Sequence, residues 1–159
     1  MNNLANYKTF FLLILISSLS VIISAIYIEY ILKQNPCELC IYQRYPWLFG
    51  IFVSFFGYYF EAKKICLFII LFLLLISATL SGYHVGVEKG YFSGLSGCSS
   101  NNLGILDKNQ LLNSLEDISV SCKDVTFRLF GLSLALINFI FSIILSISAL
   151  VTFKYEKNR

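Results

Sequence analysis

Charge is what this chain has least of. Of its 159 residues only 13% are Asp, Glu, Lys or Arg, against 57% hydrophobic, with a mean hydropathy of +0.75. A soluble domain carries about 25% charged residues and about 45–50% apolar ones. The shortage excludes an ordinary soluble enzyme, and the low polarity excludes a disordered chain, which needs high net charge and little hydrophobicity. No internal repeat and no separate soluble domain interrupt the apolar runs. Nor do the basic residues gather into a nucleic-acid patch; the formal +3 is a signal of topology. A single membrane domain remains.

What is present is a set of long uncharged stretches. About 20 apolar residues cross ~30 Å of hydrocarbon. Residues 9–28, 65–82 and 129–153 qualify, the last with Asn138 as its one strongly polar member. Residues 41–60 make a further candidate, with Arg44 one turn in and able to snorkel to the headgroups. The sequence therefore predicts an all-α membrane protein, a four-transmembrane-helix bundle. Lys8 before an apolar run resembles the opening of a signal peptide, but the run is long and no A-x-A-like site follows, so a retained helix is expected. Small residues at helical spacing (Ala78, Gly82 and Gly86; Gly50 and Ser54; Gly131 and Ala135) predict close helix contacts in lipid. Asn138, Ser142 and Ser146 form a polar stripe expected to act as interhelical glue.

Basic residues in short flanks set orientation. Lys8, Lys63, Lys64, Lys154, Lys157 and Arg159 lie on the side of the termini, while seven of the nine acids lie on the other. Both termini are expected in the cytoplasm. Cys37, Cys40, Cys98 and Cys122 then share the opposite face, in an oxidising compartment where disulfides persist, and Cys66 lies on the reducing side as a small apolar residue.

Cys37-Glu38-Leu39-Cys40 is the sharpest local motif. A CxxC pair brings two sulfurs within reach, and nearby cations or dipoles lower a thiolate's pKa. Redox, structural and metal-binding roles all use such pairs; spacing and topology favour redox, since the second cysteine pair is no zinc knuckle. Arg44, one turn beyond Cys40, can stabilise a Cys40 thiolate or an anionic acceptor, or serve as an interfacial anchor with Tyr42, Tyr45 and Trp47 in an aromatic belt. His84, the sole histidine, ends the third long helix and is either a functional group or satisfied by a backbone carbonyl. The external loop, 83–127, is too long for a plain connector. Asp107 and Gln110 resemble a capping box, and Leu111, Leu112, Leu115 and Ile118 share one face of a short amphipathic loop helix over about 108–118.

Pro36-Cys37-Glu38-Leu39-Cys40-Ile41-Tyr42-Gln43-Arg44 resembles the signature of the DsbB family of disulfide-generating membrane proteins, and the order of helices and cysteine pairs agrees over nearly the whole chain. The resemblance implies a quinone-dependent oxidoreductase of the bacterial inner membrane that reoxidises a periplasmic DsbA-like oxidase. It implies catalytic roles for Cys37, Cys40, Cys98 and Cys122. Cys98 would meet the oxidase with Cys122 as its partner, and Cys40 would meet ubiquinone or menaquinone with Cys37 as its partner. Arg44 and His84 would bind the quinone, and no metal is required. A vitamin K epoxide reductase-like enzyme fits less well, because here the CxxC follows the first helix. A non-enzymatic four-span protein with structural or metal-binding cysteines is the other alternative.

Overall fold

The computed structural model describes residues 2–60, 63–92, 122, 128–129 and 131–157. Helices α1 (Asn2–Tyr30), α2 (Glu38–Tyr42), α3 (Arg44–Tyr59), α4 (Lys63–Glu88) and α5 (Leu134–Lys157) account for most of them, with a short hairpin, β1 (Arg128–Leu129) and β2 (Leu132–Ser133), leading into α5. The hairpin pairs Arg128 with Ser133 and Leu129 with Leu132. Helix α1 packs on α3, α3 on α4 and α4 on α5, while α1 and α5 touch only sparingly.

Among the described residues, three helices are long and apolar enough to cross a bilayer: Tyr7–Tyr30, Lys64–Glu88 and Leu134–Lys154. Their outer faces carry exposed Ile16, Phe68, Phe72 and Ile144. Inside, Phe11, Ile14, Trp47, Leu67, Ile70 and Ala149 form the buried core. The chain is thus mostly helical and of membrane type. The fourth expected span differs, because it is divided at Gln43 into α2 and a 16-residue α3. Pro46 supplies the reason. A continuous helix would need its missing N–H to bond Tyr42 and would drive the ring into that carbonyl. Restarting at Arg44 puts the proline in a first turn, where no such bond is needed.

The boundaries of the neighbouring helices also move. Helix α4 runs six residues past the expected span end at 82, so His84 lies near its end as expected, and Tyr83 and Glu88 belong to it and not to the loop. It stops where the Gly90 N–H donates to Val87 O (3.0 Å) and the Tyr91 N–H to Gly86 O (2.8 Å). That double closure requires a left-handed residue, which Gly90 supplies with φ +77°. Helix α5 begins at Leu134, later than expected at 129. Gly131, with φ +82°, turns the hairpin and is not part of a helical stripe with Ala135. Ser133 then caps α5, its Oγ accepting from the Leu136 N–H at 3.2 Å.

Among the other small-residue positions, Gly50 and Gly82 do mediate helix contact. A Cβ on Gly50 would lie 3.2 Å from Ser18 Oγ of α1 and one on Gly82 3.1 Å from Phe139 of α5, whereas Gly86 faces Phe92 just beyond its own helix. Gly57, outside the expected stripes, is the tightest interhelical approach of these, 2.6 Å from the Phe11 ring of α1. Two members of the polar stripe bind helices as expected: the Ser142 and Ser77 hydroxyls are 2.9 Å apart across α4 and α5, and Asn138 accepts from Trp47 of α3. Ser146 instead donates to the Ser142 carbonyl of its own helix. The expected loop helix and Cys98 lie outside the described residues.

Candidate active site

Cys37 caps α2 in extended conformation (φ −74°, ψ 165°), its sulfur accepting from the Cys40 N–H at 3.4 Å. One helical turn then brings the Cys40 thiol to 2.9 Å from the Cys37 sulfur. Both cysteines are thiols, and Cys37 is buried. The pair shares its proton unequally. Hydrogen bonding from Cys40, aided by His84 and opposed by burial, pulls the Cys37 thiol down to about 4. The same bond, together with burial and the negative Cys37 sulfur, pushes the Cys40 thiol well above the ordinary range, and Arg44 only partly offsets this.

His84 reaches this pair from the last turn of α4. Its Nε2 lies 3.6 Å from the Cys37 sulfur and 3.8 Å from Glu88 Oε1. On the other side of the ring, Nδ1 is 2.8 Å from the side-chain amide of Gln43. The imidazole is buried and partnered by side chains, so the backbone-satisfied alternative does not apply.

Cys122 completes the cluster. It is buried and in a disulfide, and its sulfur, the Cys37 sulfur and a His84 ring nitrogen all lie within 4.8 Å of one another. Those three groups have the identity of metal ligands, yet a disulfide sulfur offers no thiolate. The arrangement suits exchange: a free thiol stands beside a disulfide sulfur.

Arg44 opens α3 and donates from Nη1 to Glu29 Oε2 of α1 at 2.6 Å. Tyr42 and Tyr45 are exposed, as an interfacial belt requires, whereas Trp47 is only 2% exposed. Trp47 stacks on Phe141 and donates to Asn138 Oδ1 at 3.0 Å, so it belongs to the core and not to the belt.

These groups border a cavity of about 220 Å³ whose walls include Ile28 and Glu29 of α1, both CxxC cysteines, Arg44, His84 and Phe141 of α5. Largely apolar walls with a few convergent polar groups are the usual form of a small-molecule site. The volume is below the ~300–1,000 Å³ that encloses a drug-sized ligand, which suits a single ring whose tail remains in lipid. The guanidinium of Arg44 has five N–H donors, so it can hold Glu29 and a ligand oxygen together. The residues therefore fit a quinone ring. Sequence reasoning missed Glu29, Gln43, Trp47 and Glu88 as members of the site. The usable signal was polarity inside or beside an apolar segment, and it applied most clearly to Asn138, which donates to Gln43 Oε1 at 3.0 Å.

Long apolar helices packed around a CxxC pair that stands beside a disulfide define a membrane thiol–disulfide protein. Comparisons make this specific. The family model described as disulfide bond formation protein DsbB matches residues 7–152. The uncharacterized protein RP370 of Rickettsia prowazekii is 31% identical over 158 residues, covering 96% of this chain and 91% of that protein. Disulfide bond formation protein B of Cupriavidus metallidurans is 45% identical over 49 residues, 30% of each chain. The chain belongs to the DsbB family of disulfide-forming membrane proteins, which are quinone-linked.

Proposed function

We propose that this protein withdraws two electrons from a periplasmic DsbA-like dithiol oxidase and delivers them to a membrane quinone, ubiquinone or menaquinone. The observation that carries the proposal is the free Cys37 thiol within 4.8 Å of the Cys122 disulfide sulfur. Family membership supports the partner and the acceptor.

A thiolate of the oxidase attacks Cys98, which we pair with Cys122, and the oxidase's second thiol resolves the mixed disulfide. The oxidase leaves with its disulfide, and Cys98 and Cys122 become a dithiol. The Cys122 thiolate then attacks Cys37 of a Cys37–Cys40 disulfide. The Cys122–Cys37 bond forms, the Cys37–Cys40 bond breaks, and Cys40 leaves as a thiolate. While Cys37 is bonded to Cys122 it carries no charge and donates no proton demand to Cys40. The main cause that pushes Cys40 upward in the dithiol is then gone; burial still opposes its thiolate, and Arg44 favours it. Cys98 attacks Cys122 to release Cys37 and restore its own disulfide; this leaves the CxxC dithiol beside a Cys122 disulfide, the state of the structure. A bound quinone supplies an acceptor of two electrons and two protons. Arg44 and His84 would hold its ring beside the Cys37–Cys40 dithiol, which would give up two electrons and two protons to it as the Cys37–Cys40 disulfide re-forms. An acceptor of high potential is needed: DsbA has a reference potential near ~−120 mV, and an ordinary structural disulfide, below about −300 mV, cannot reoxidise it.

We place the termini in the cytoplasm, α3 as the fourth crossing, and the redox cysteines on the periplasmic side of the inner membrane. The test is anaerobic mixing of the purified protein, a soluble ubiquinone analogue and a reduced thioredoxin-fold partner. Loss of quinone absorbance that requires both Cys40 and Cys98 is the expected result. Quinol formed at the wild-type rate by Cys40→Ala overturns the scheme.

A further inference from the structure

Three side chains behind the cysteine pair form a chain of hydrogen bonds with a fixed direction. Trp47 is buried, and its indole N–H can only donate. It meets Asn138 at 3.0 Å, so the carboxamide must present its oxygen there. The Asn138 NH2 group is thereby turned toward Gln43, whose oxygen accepts at 3.0 Å. The Gln43 NH2 group is turned in the same way toward His84 Nδ1, 2.8 Å away. An amide nitrogen is a donor only, so Nδ1 must be the acceptor.

From this we infer that Trp47, Asn138 and Gln43 are positioning residues that fix His84 as its Nε2–H tautomer, so that the imidazole donates to the Cys37 sulfur and does not accept its proton. In a neutral imidazole one nitrogen donates and the other accepts. With Nδ1 committed to Gln43, the hydrogen lies on Nε2, facing the Cys37 sulfur at 3.6 Å and Glu88 Oε1 at 3.8 Å. Both can accept it. Placing the hydrogen on Nδ1 would oppose two donors. Relieving that clash requires both carboxamides to turn over together, which leaves the buried indole N–H facing an NH2 group. The indole thus sets the proton position on a ring three hydrogen bonds away. The consequence for thiol exchange rests on the function proposed above; the tautomer itself does not.

The chain has one histidine, so [15N]histidine labelling gives a single imidazole to observe. The detergent-solubilised protein, with neither quinone nor partner added, is examined by 15N NMR at pH 8. The wild type is expected to show a protonated Nε2 and an unprotonated Nδ1. Trp47→Phe adds no charge and touches neither sulfur nor imidazole in the relay, yet removes its fixed end; both carboxamides can then turn over, and an Nδ1–H population absent from the wild type appears. Gln43→Glu replaces the donor at Nδ1 by an acceptor and shifts the hydrogen to Nδ1. A hydrogen on Nδ1 in the wild type overturns the inference, as does an unchanged tautomer in both variants. Because no acceptor is present, failure here is distinct from failure of quinone reduction.

Discussion

The Cys37 sulfur is held by the thiol and backbone N–H of Cys40 and by His84. Its acidity is therefore borrowed, chiefly from Cys40. A thiol drawn down to about 4 is ionised through neutral pH, and its alkylation rate falls only as the pH drops through that value. Cys40→Ala removes the largest contribution and moves the acid limb toward the ordinary thiol range. At pH 6, alkylation of Cys37, followed by peptide mass mapping, is expected to fall at least about tenfold, because a thiol near the ordinary value of about 8.5 is less than about 1% ionised at that pH. An unchanged acid limb would show that the cysteine–cysteine bond does not govern Cys37. The motif made Cys37, Cys40 and Arg44 legible in the sequence, and the lone histidine could be singled out. Their partners were not legible, because whether Gln43 meets His84 or Glu29 meets Arg44 depends on residues 41 and 15 positions apart.

Helices were read from apolar runs, which report burial in lipid or core but not where hydrogen bonding stops. Hence α4 outran its apolar segment to Glu88 and carried His84 with it, while a proline cut α3 short. Packing between elements is the more sensitive quantity. Phe11 is fully buried, and a Gly57→Ala methyl would lie 2.6 Å from its ring, so α1 and α3 must separate or the ring must leave its rotamer. We expect a loss of about 1–3 kcal/mol in reversible unfolding in mixed micelles. Ser142→Ala breaks the 2.9 Å hydroxyl pair between α4 and α5. Interhelical bonds in lipid average ~0.6 kcal/mol with a maximum near ~1.7 kcal/mol. The same unfolding assay should therefore find Ser142→Ala the milder change; the reverse order would mean that hydroxyls, not close contact, hold these helices.

Across the whole molecule, the sparse charges lie at the helix ends and in the 83–127 region, and the three longest helices leave their apolar side chains outward. With the proposed orientation, a fluorescent protein that matures only in the cytoplasm should be bright when fused after residue 159 and dark when inserted within residues 99–121. Bright insertion and dark terminus would invert the topology. The length of α3 bears on the membrane itself. Its 16 residues rise about 24 Å, some ~6 Å less than a typical hydrocarbon core, whereas α4 beside it has 26 residues. As the fourth crossing we propose, α3 would create hydrophobic mismatch confined to one side of the bundle, and lipid answers such mismatch by thinning. The dimple would fall at its Arg44 end, beside the CxxC pair, shortening the water-to-lipid distance where a dissolved dithiol and a lipid-borne ring must both arrive. Quinone reduction in vesicles should then decline as the acyl chains lengthen, with the thiol-exchange step alone unaffected.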